Sequence, residues 1–155
     1  MGPKFSPIPG ARGFQQSTPT ILAVASLLGS LQTFKVAGMM GPLRERSKAL
    51  TGNLGHLLRQ SKFFVPPEKA SIRTDPCFTI ITPPDPESQG AQLSLLFLPQ
   101  GVGVMEKVVA GLKEWGVIGG GRKPDVIRFA PAPLYNTEED VEAAAKYLDI
   151  VIASL

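Results

Sequence analysis

The stretch from Thr137 to the end of the chain carries the pattern that most restricts the fold. Thr137 is followed three positions later by Asp140, which is a variant of the capping box that begins α-helices. The apolar residues that follow recur at helical spacing: Val141, Ala144, Ala145, Leu148, Val151, Ile152 and Leu155. A helix with one apolar stripe has to pack against another layer of structure. We therefore expect a final helix that covers the core of a layered domain.

Two helices are predicted in the first part of the chain. Ser17 and Thr18 precede Pro19, which predicts an N-cap and a first-turn proline for a helix that runs to about Val36. Pro42 begins a second helix, in which five leucines share one face: Leu43, Leu50, Leu54, Leu57 and Leu58. The polar residues interleaved with this stripe are interpreted as a solvated outer face: Arg44, Arg46, Lys48, His56 and Arg59.

The remaining elements are one helix and several short strands. A helix is predicted from Val104 to Gly116, with Trp115 as a core anchor. Runs rich in β-branched and apolar residues predict strands at 78–82, 91–98 and 125–129, and a brief strand at Val117 and Ile118 before a flexible glycine run at 119–121. This order predicts an α+β fold, in which helices pack against a small, mostly antiparallel sheet.

Bulk properties exclude several classes of protein. A chain of 155 residues with 43% hydrophobic content can bury one core, and we divide it into a lead-in loop at 1–16 and a single domain at 17–155. A net charge of +3 is too small and scattered for a nucleic-acid surface. No run approaches the roughly 20 apolar residues of a membrane span. The only cysteine, Cys77, is interpreted as a small, partly buried residue at the start of a strand, and it fits a reducing compartment. We expect a cytoplasmic protein without nucleic-acid or membrane partners.

Motifs with a self-sufficient chemistry are missing from the sequence. The glycine runs GVGVME and GGGRKP lack the third glycine of a dinucleotide fingerprint and the Lys-Ser/Thr ending of a phosphate loop, so both are interpreted as turns. No spacing of His, Cys, Asp or Glu predicts a metal site. The sequence therefore predicts no complete active site.

Arg128 is the one residue that stands out chemically. It lies in an apolar strand between Ile127 and Phe129, where a charge is costly unless it has a partner. Its planar fork of donors suits a carboxylate, which it would bind through two parallel hydrogen bonds. The alternatives are a salt bridge to an internal Asp or Glu, or a solvent-facing position on an edge strand. Taken from the residues alone, these alternatives are favoured.

Four segments of the chain resemble the kynureninase family. The run PDVIRFAPAPLYNTEEDV at 124–141 resembles the family's C-terminal strand arginine, its A-P-x-P-L-Y-N turn and its final helix. GARGFQQSTP at 10–19, RERSKALTGNL at 44–54 and FTIITPPDPESQGAQLSL at 78–95 are similar to family segments in the same order. The resemblance covers nearly the whole chain and corresponds to about the last third of a complete family member.

The resemblance implies a fold, a chemistry and a set of site residues. The fold would be the C-terminal small domain of a fold-type I enzyme that uses pyridoxal 5'-phosphate. Kynureninases hydrolyse L-kynurenine or 3-hydroxykynurenine to anthranilate or 3-hydroxyanthranilate and L-alanine, in tryptophan catabolism and NAD biosynthesis. By resemblance, Arg128 would bind the substrate carboxylate, and Ser17 and Thr18 would reach the cofactor phosphate across a homodimer interface. Many family members have asparagine at the position of Thr18, and this difference leaves the preferred substrate open. The family usually has an aromatic residue at the position of Glu138, and we interpret that difference as a surface variation. The lysine that holds the cofactor has no counterpart in this sequence.

Two hypotheses follow from this resemblance. In the first, the chain is part of a kynureninase and supplies its substrate-binding half. In the second, it is a non-catalytic, stand-alone domain that acts as an interaction or decoy partner. A minimal amino-acid sensor built on Arg128 is a third, less favoured possibility, since a carboxylate clamp without an opposing wall leaves its ligand in water.

Overall fold

A computed structural model describes residues 8–155, apart from the side chains of Ser71 and Ile72. The chain forms two compact units, Met1–Met40 and Gly41–Leu155. The part of the predicted lead-in loop at 1–7 lies outside the described residues, and the predicted domain boundary after residue 16 stays a prediction.

The first unit contains a short 3-10 turn, Ala11–Phe14, and the helix α1, Ile21–Val36. The prediction that Ser17 and Thr18 cap this helix is wrong. The N-cap is Thr20, which has an extended backbone and whose Oγ1 accepts a hydrogen bond from the Ala23 N–H at 3.2 Å. Ser17 has a φ of 59°, which is outside the β region that an N-cap residue uses.

Helix α1 is apolar around its circumference and exposed along its length. None of its residues is buried, and large side chains on several faces meet solvent: Ile21, Leu22, Val24, Leu27, Leu28, Leu31 and Val36. A helix that is apolar all round is normally covered by other protein. Among the described residues, no single helix is long and apolar enough to cross a membrane. Only α1 taken together with the next helix, as an interrupted pair, meets that test of length and composition.

Helix α2, Met40–Gln60, has Pro42 in its first turn and lies in the second unit from Gly41 onward. The predicted leucine face is confirmed. Leu43, Leu50, Leu54 and Leu58 are buried, and Leu57 packs against the same core.

A four-stranded sheet forms the centre of this unit, and the predicted α+β fold with an antiparallel sheet is confirmed. Its strands are β1 Cys77–Ile80, β2 Leu93–Leu98, β3 Gly120–Arg122 and β4 Val126–Phe129. They pair antiparallel in the order β1-β2-β4-β3, so β2 and β4 are interior strands.

The position of β3 corrects the sequence prediction. Val117 and Ile118 do not form a strand, whereas the glycine run predicted to be flexible supplies β3 and its approach. A Cβ atom on Gly119 would lie 2.6 Å from Cγ2 of Ile127. Glycine is therefore needed here because the backbone passes so close to β4.

One face of the sheet is covered by helices. Helices α3, Val104–Glu114, and α4, Glu138–Ala153, pack there with α2. The shared core contains large side chains from the sheet and the helices: Phe78, Leu95, Phe97, Ile127, Leu54, Val108, Leu112 and Leu148. Among the described residues, the opposite face is covered near β1, where Val65, Cys77 and Leu98 form a small cluster beside the 3-10 segment Pro67–Ile72.

The predicted cap of α4 is confirmed as a reciprocal capping box. Thr137 Oγ1 accepts from the Asp140 N–H at 3.2 Å, and Asp140 Oδ2 accepts from the Thr137 N–H at 3.0 Å. Glu138, which we interpreted as a surface variation, is exposed but also accepts a hydrogen bond from Asn53 Nδ2 at 2.6 Å. It therefore joins the start of α4 to α2.

Trp115 does not anchor the core, and that prediction is wrong. It follows the last residue of α3, is 50% exposed, and stacks on Tyr147 of α4 with ring centroids 4.6 Å apart. The helix ends one residue before it, so its side chain lies beyond the apolar stripe.

Candidate functional site

Arg128 lies on the open face of the sheet, on the interior strand β4. Its neighbours Ile127 and Phe129 are buried in the core, whereas Arg128 itself is exposed. Side chains alternate along a strand, so Arg128 projects from the face opposite the helices. Its backbone lies between Ser94 of β2 and Gly120 of β3.

The guanidinium of Arg128 is not neutralised within the described part of the chain. Both ion pairs found there involve Lys48, and no described side chain or carbonyl accepts a hydrogen bond from Arg128. The alternative of an internal salt bridge is therefore wrong. The side chain does face solvent, but from an interior strand and not from an edge. The expected cost of burying this charge does not arise, because the side chain is exposed.

A second arginine, Arg122, stands beside Arg128 and is not among the site residues predicted from the sequence. Gly120 is directly opposite Arg128, and Arg122 follows two residues later on the same face of β3. A Cβ atom on Gly120 would lie 3.8 Å from both Arg122 Nη1 and Arg128 Cβ. Glycine thus leaves a gap between the two arginine side chains. The glycine run was predicted to be a turn, and a turn gives Arg122 no defined direction. Only a strand at 120–122 places Arg122 on the same face as Arg128.

The turn after β4 is fixed by Asn136. Its Oδ1 accepts from the Ala132 N–H at 2.8 Å, and its Nδ2 donates to Asp140 Oδ2 at 3.2 Å. Its carbonyl accepts from Arg46 Nη2 at 2.9 Å. One asparagine therefore ties the turn to both α4 and α2, which holds the C-terminal end of β4 in place.

Ser17 and Thr18 belong to the first unit, whereas Arg128 belongs to the second. Both are exposed and lie just before α1, where Gln15 Nε2 donates to the Ser17 carbonyl at 2.9 Å. Within residues 8–155, neither hydroxyl has a hydrogen-bond partner. Two free hydroxyls ahead of a helix N-terminus have the donor chemistry that suits a phosphate group.

The described residues contain no cluster of three or more His, Cys, Asp or Glu side chains that could hold a metal ion. His56, for example, is exposed and pairs with Gln60 Nε2 at 2.9 Å.

These features define an α+β domain that carries an exposed arginine on an interior strand, with no acidic partner among the described residues. The family model of the kynureninase C-terminal domain matches residues 43–148, which include the whole sheet and Arg128. The chain belongs to the kynureninase C-terminal domain family.

Curated relatives agree with this assignment. The chain is 49% identical to a kynureninase of Yarrowia lipolytica over 149 residues, 50% identical to one of Coccidioides immitis over 141 residues, and 45% identical to one of Saccharomyces cerevisiae over 150 residues. These matches cover 94%, 91% and 94% of the chain, respectively, but only 34%, 27% and 32% of the relatives. The chain thus spans about a third of the length of the relatives it matches, and the resemblance inferred from the motifs is confirmed.

Proposed function

We propose that this chain provides the substrate-carboxylate-binding part of a kynureninase. The reaction would be the hydrolysis of L-kynurenine or 3-hydroxykynurenine to anthranilate or 3-hydroxyanthranilate and L-alanine. The observation that carries the proposal is Arg128, an exposed guanidinium on an interior strand within the family match, without an acidic partner in the described chain.

The family resemblance implies this role for Arg128, and the chemistry of its side chain supports it. An arginine can hold a carboxylate through two parallel, charge-assisted hydrogen bonds, which fix both the position and the plane of the group. Such a grip would orient the amino acid so that the bond to be broken is correctly placed for reaction. Arg122 on the same face adds positive charge to the approach. Pyridoxal 5'-phosphate, when bound, would act as the electron sink for carbon-carbon cleavage.

The cofactor phosphate is a second target for groups of this chain. We propose that Ser17 and Thr18 donate hydrogen bonds to it, in a homodimer, as the family resemblance implies. Support comes from their exposed hydroxyls ahead of α1. The lysine that binds the cofactor would come from a region of kynureninases that this chain does not match, so we expect the chain alone to be inactive.

The cellular location, the pathway and the absence of further partners are proposed from composition and resemblance alone. We propose a cytoplasmic protein of tryptophan catabolism and NAD biosynthesis, with no nucleic-acid or membrane partner. The small, scattered net charge of +3 supports the absence of a nucleic-acid partner, and the location and pathway rest on the resemblance.

A stand-alone interaction domain is the second candidate. The exposed apolar circumference of α1 is expected of such a domain, since a surface of this kind is normally covered by another polypeptide. This surface is equally expected of an enzyme part that docks on a larger domain. Catalytic complementation distinguishes the two candidates.

The test replaces the matching segment of the Saccharomyces cerevisiae kynureninase with this chain. We expect the chimera to bind pyridoxal 5'-phosphate, seen as yellow absorbance, and to release anthranilate from L-kynurenine. Arg128→Lys should lower kcat/KM by roughly 10- to 100-fold, because the bidentate grip is lost, with the cofactor absorbance unchanged.

Arg73→Lys is the matched control, since Arg73 is also exposed but lies in a loop before β1. It should behave as the unmodified chimera does. A chimera that binds the cofactor yet releases no anthranilate would favour the interaction domain, and equal activity of Arg128→Lys and the control would remove Arg128 from the site.

A further inference from the structure

A second concentration of positive charge lies away from Arg128. A cavity of about 180 Å³ separates α2 from the loop that joins β1 to β2. Three cationic side chains of α2 line it, namely Arg44, Lys48 and Arg59, and no carboxylate of the described residues does. From the sequence alone, these cations are predicted to lie on a solvated outer face. Arg44 and Lys48 are instead half-buried, because the loop folds over them.

The chain itself holds Arg44 at the wall of this cavity. Its Nη2 donates to the carbonyls of Pro86, at 3.0 Å, and Gln89, at 2.9 Å. These two bonds fix the plane of the guanidinium. Its Nε and Nη1 groups have no partner in the described chain, so they remain available as donors.

Lys48 and Arg59 are also positioned by their surroundings. Lys48 Nζ lies 2.8 Å from a carboxylate oxygen of Glu87 and 3.4 Å from one of Glu45, both of which are largely exposed. Arg59 Nη1 donates to the Gly55 carbonyl at 2.9 Å, one helical turn earlier. The nearby carboxylates of Glu45, Glu87 and Asp85 lie outside the lining of the cavity, while the cations form part of it.

Thr51, which has a buried hydroxyl, is another residue of the lining. Thr51 is only 2% exposed, and its Oγ1 has no hydrogen-bond partner within the described chain. An unpaired buried hydroxyl is destabilising, so a threonine between the buried Leu50 and Leu54 calls for a ligand or a compensating contact. The cavity is smaller than the roughly 300–1,000 Å³ of sites for drug-sized molecules. A small anion matches both its size and its donors.

We propose that this cavity binds a phosphate group, held by Arg44, Lys48 and Arg59 and by the hydroxyl of Thr51. Guanidinium and ammonium groups are the usual partners of phosphate oxygens, and a threonine hydroxyl can donate to a further oxygen. The site is independent of the kynurenine chemistry proposed for Arg128. Its ligand would be inorganic phosphate or the phosphoryl end of a small phosphomonoester.

The test is calorimetric titration of the full chain with inorganic phosphate, at an ionic strength kept constant with potassium chloride. We expect saturable binding of one phosphate per chain with a Kd below about 1 mM. Sulfate, which is also tetrahedral, should compete. Glycerol phosphate identifies the source of the group: binding as tight as that of phosphate indicates a phosphomonoester site, and failure to bind indicates a site for the free ion.

Two variants and two matched controls localise the binding. Arg59→Gln should weaken it at least tenfold, whereas Lys107→Gln, which removes an exposed charge of α3, should change it less than twofold. Thr51→Val should also weaken binding about tenfold, since the donor to a charged oxygen is lost. Ser47→Ala removes another unpartnered buried hydroxyl of α2, outside the cavity, and should leave binding unchanged.

Clear outcomes would overturn the proposal. Phosphate that does not bind at about 10 mM, far above the expected Kd, would do so. Equal weakening by Arg59→Gln and Lys107→Gln would show attraction to net charge alone. Should Arg59→Gln unfold the chain by far-ultraviolet circular dichroism, the comparison of Thr51→Val with Ser47→Ala still decides, because both replace a hydroxyl without a partner.

Discussion

Gly111 allows α3 and α4 to approach closely, and Gly111→Ala tests that contact. A Cβ atom at this position would lie 2.7 Å from Cγ1 of Val151 and 3.1 Å from its Cγ2. Real Cβ atoms do not come as close as the first of these distances, so something has to move. Valine has a single strongly preferred rotamer in a helix, so the valine side chain cannot rotate away without strain.

The expected magnitude is the difference of two opposing effects. Alanine is favoured over glycine inside a helix by about 0.5–1 kcal/mol. Overfilling a packed core costs about 1–3 kcal/mol. We therefore expect Gly111→Ala to lower the free energy of unfolding by about 1 kcal/mol. Gly52 of α2 is the matched control, since a Cβ atom there would have no neighbour within 4 Å. Gly52→Ala should raise stability by about 0.5–1 kcal/mol.

The assay is urea unfolding followed by circular dichroism, with a double-mutant cycle. Val151→Ala alone should destabilise by about 2 kcal/mol, because buried methyl groups are lost and a cavity is left. In the double variant the methyl group introduced by Gly111→Ala occupies part of that cavity, so the loss should be smaller than the sum of the two single losses by about 1 kcal/mol or more. Additive losses, or a Gly111→Ala variant as stabilised as Gly52→Ala, would refute the close contact.

Two further predictions concern ionisable groups. Burial raises the pKa of the Cys77 thiol, so iodoacetamide at pH 8 should label it slowly in the folded chain and quickly in urea. Fast labelling without urea would contradict the buried position of Cys77 beside Val65 and Leu98. Hydrogen bonding from the Thr137 N–H holds the pKa of Asp140 below its ordinary value of 3.8. The contribution of this carboxylate is therefore present above pH 3.8 and lost as the pH falls through the lower, folded value. Asp140→Asn should flatten the decline of the urea midpoint between pH 5 and pH 2, whereas Thr137→Ala should lower stability by about 1 kcal/mol at neutral pH. An unchanged decline in Asp140→Asn would show that other groups govern the acid response.

The elements predicted correctly are those determined by residues a few positions apart in the sequence. The leucine stripe of α2 is read from helical spacing alone, and the Thr137–Asp140 cap involves residues only three positions apart. Neither prediction needed knowledge of distant residues, and the structure confirms both.

Elements that depend on distant partners were harder to predict. The glycines of β3 are poor strand formers by themselves, and they form a strand because β4 lies alongside to accept and donate hydrogen bonds. The cap of α1 is Thr20 and not Ser17 or Thr18, because three hydroxyl residues lie close together here and backbone conformation decides among them. The half-buried state of Arg44 follows from a loop more than forty residues further along the chain.

The candidate site was predicted in part. The strand around Arg128 could be read from its sequence, and the carboxylate role came from the family resemblance. That β4 is an interior strand, and that no described acid neutralises Arg128, depends on the strand order. The neighbouring Arg122 was missed for the same reason as β3 itself.

The interior position of β4 also affects how a ligand would be bound. The backbone at Arg128 pairs with strands on both sides, and the following turn is fixed by Asn136. Binding an anion would therefore restrict only the torsion angles of one side chain, and the main chain would lose almost no freedom. On a flexible loop, the same guanidinium would give up much more conformational entropy for the same hydrogen bonds.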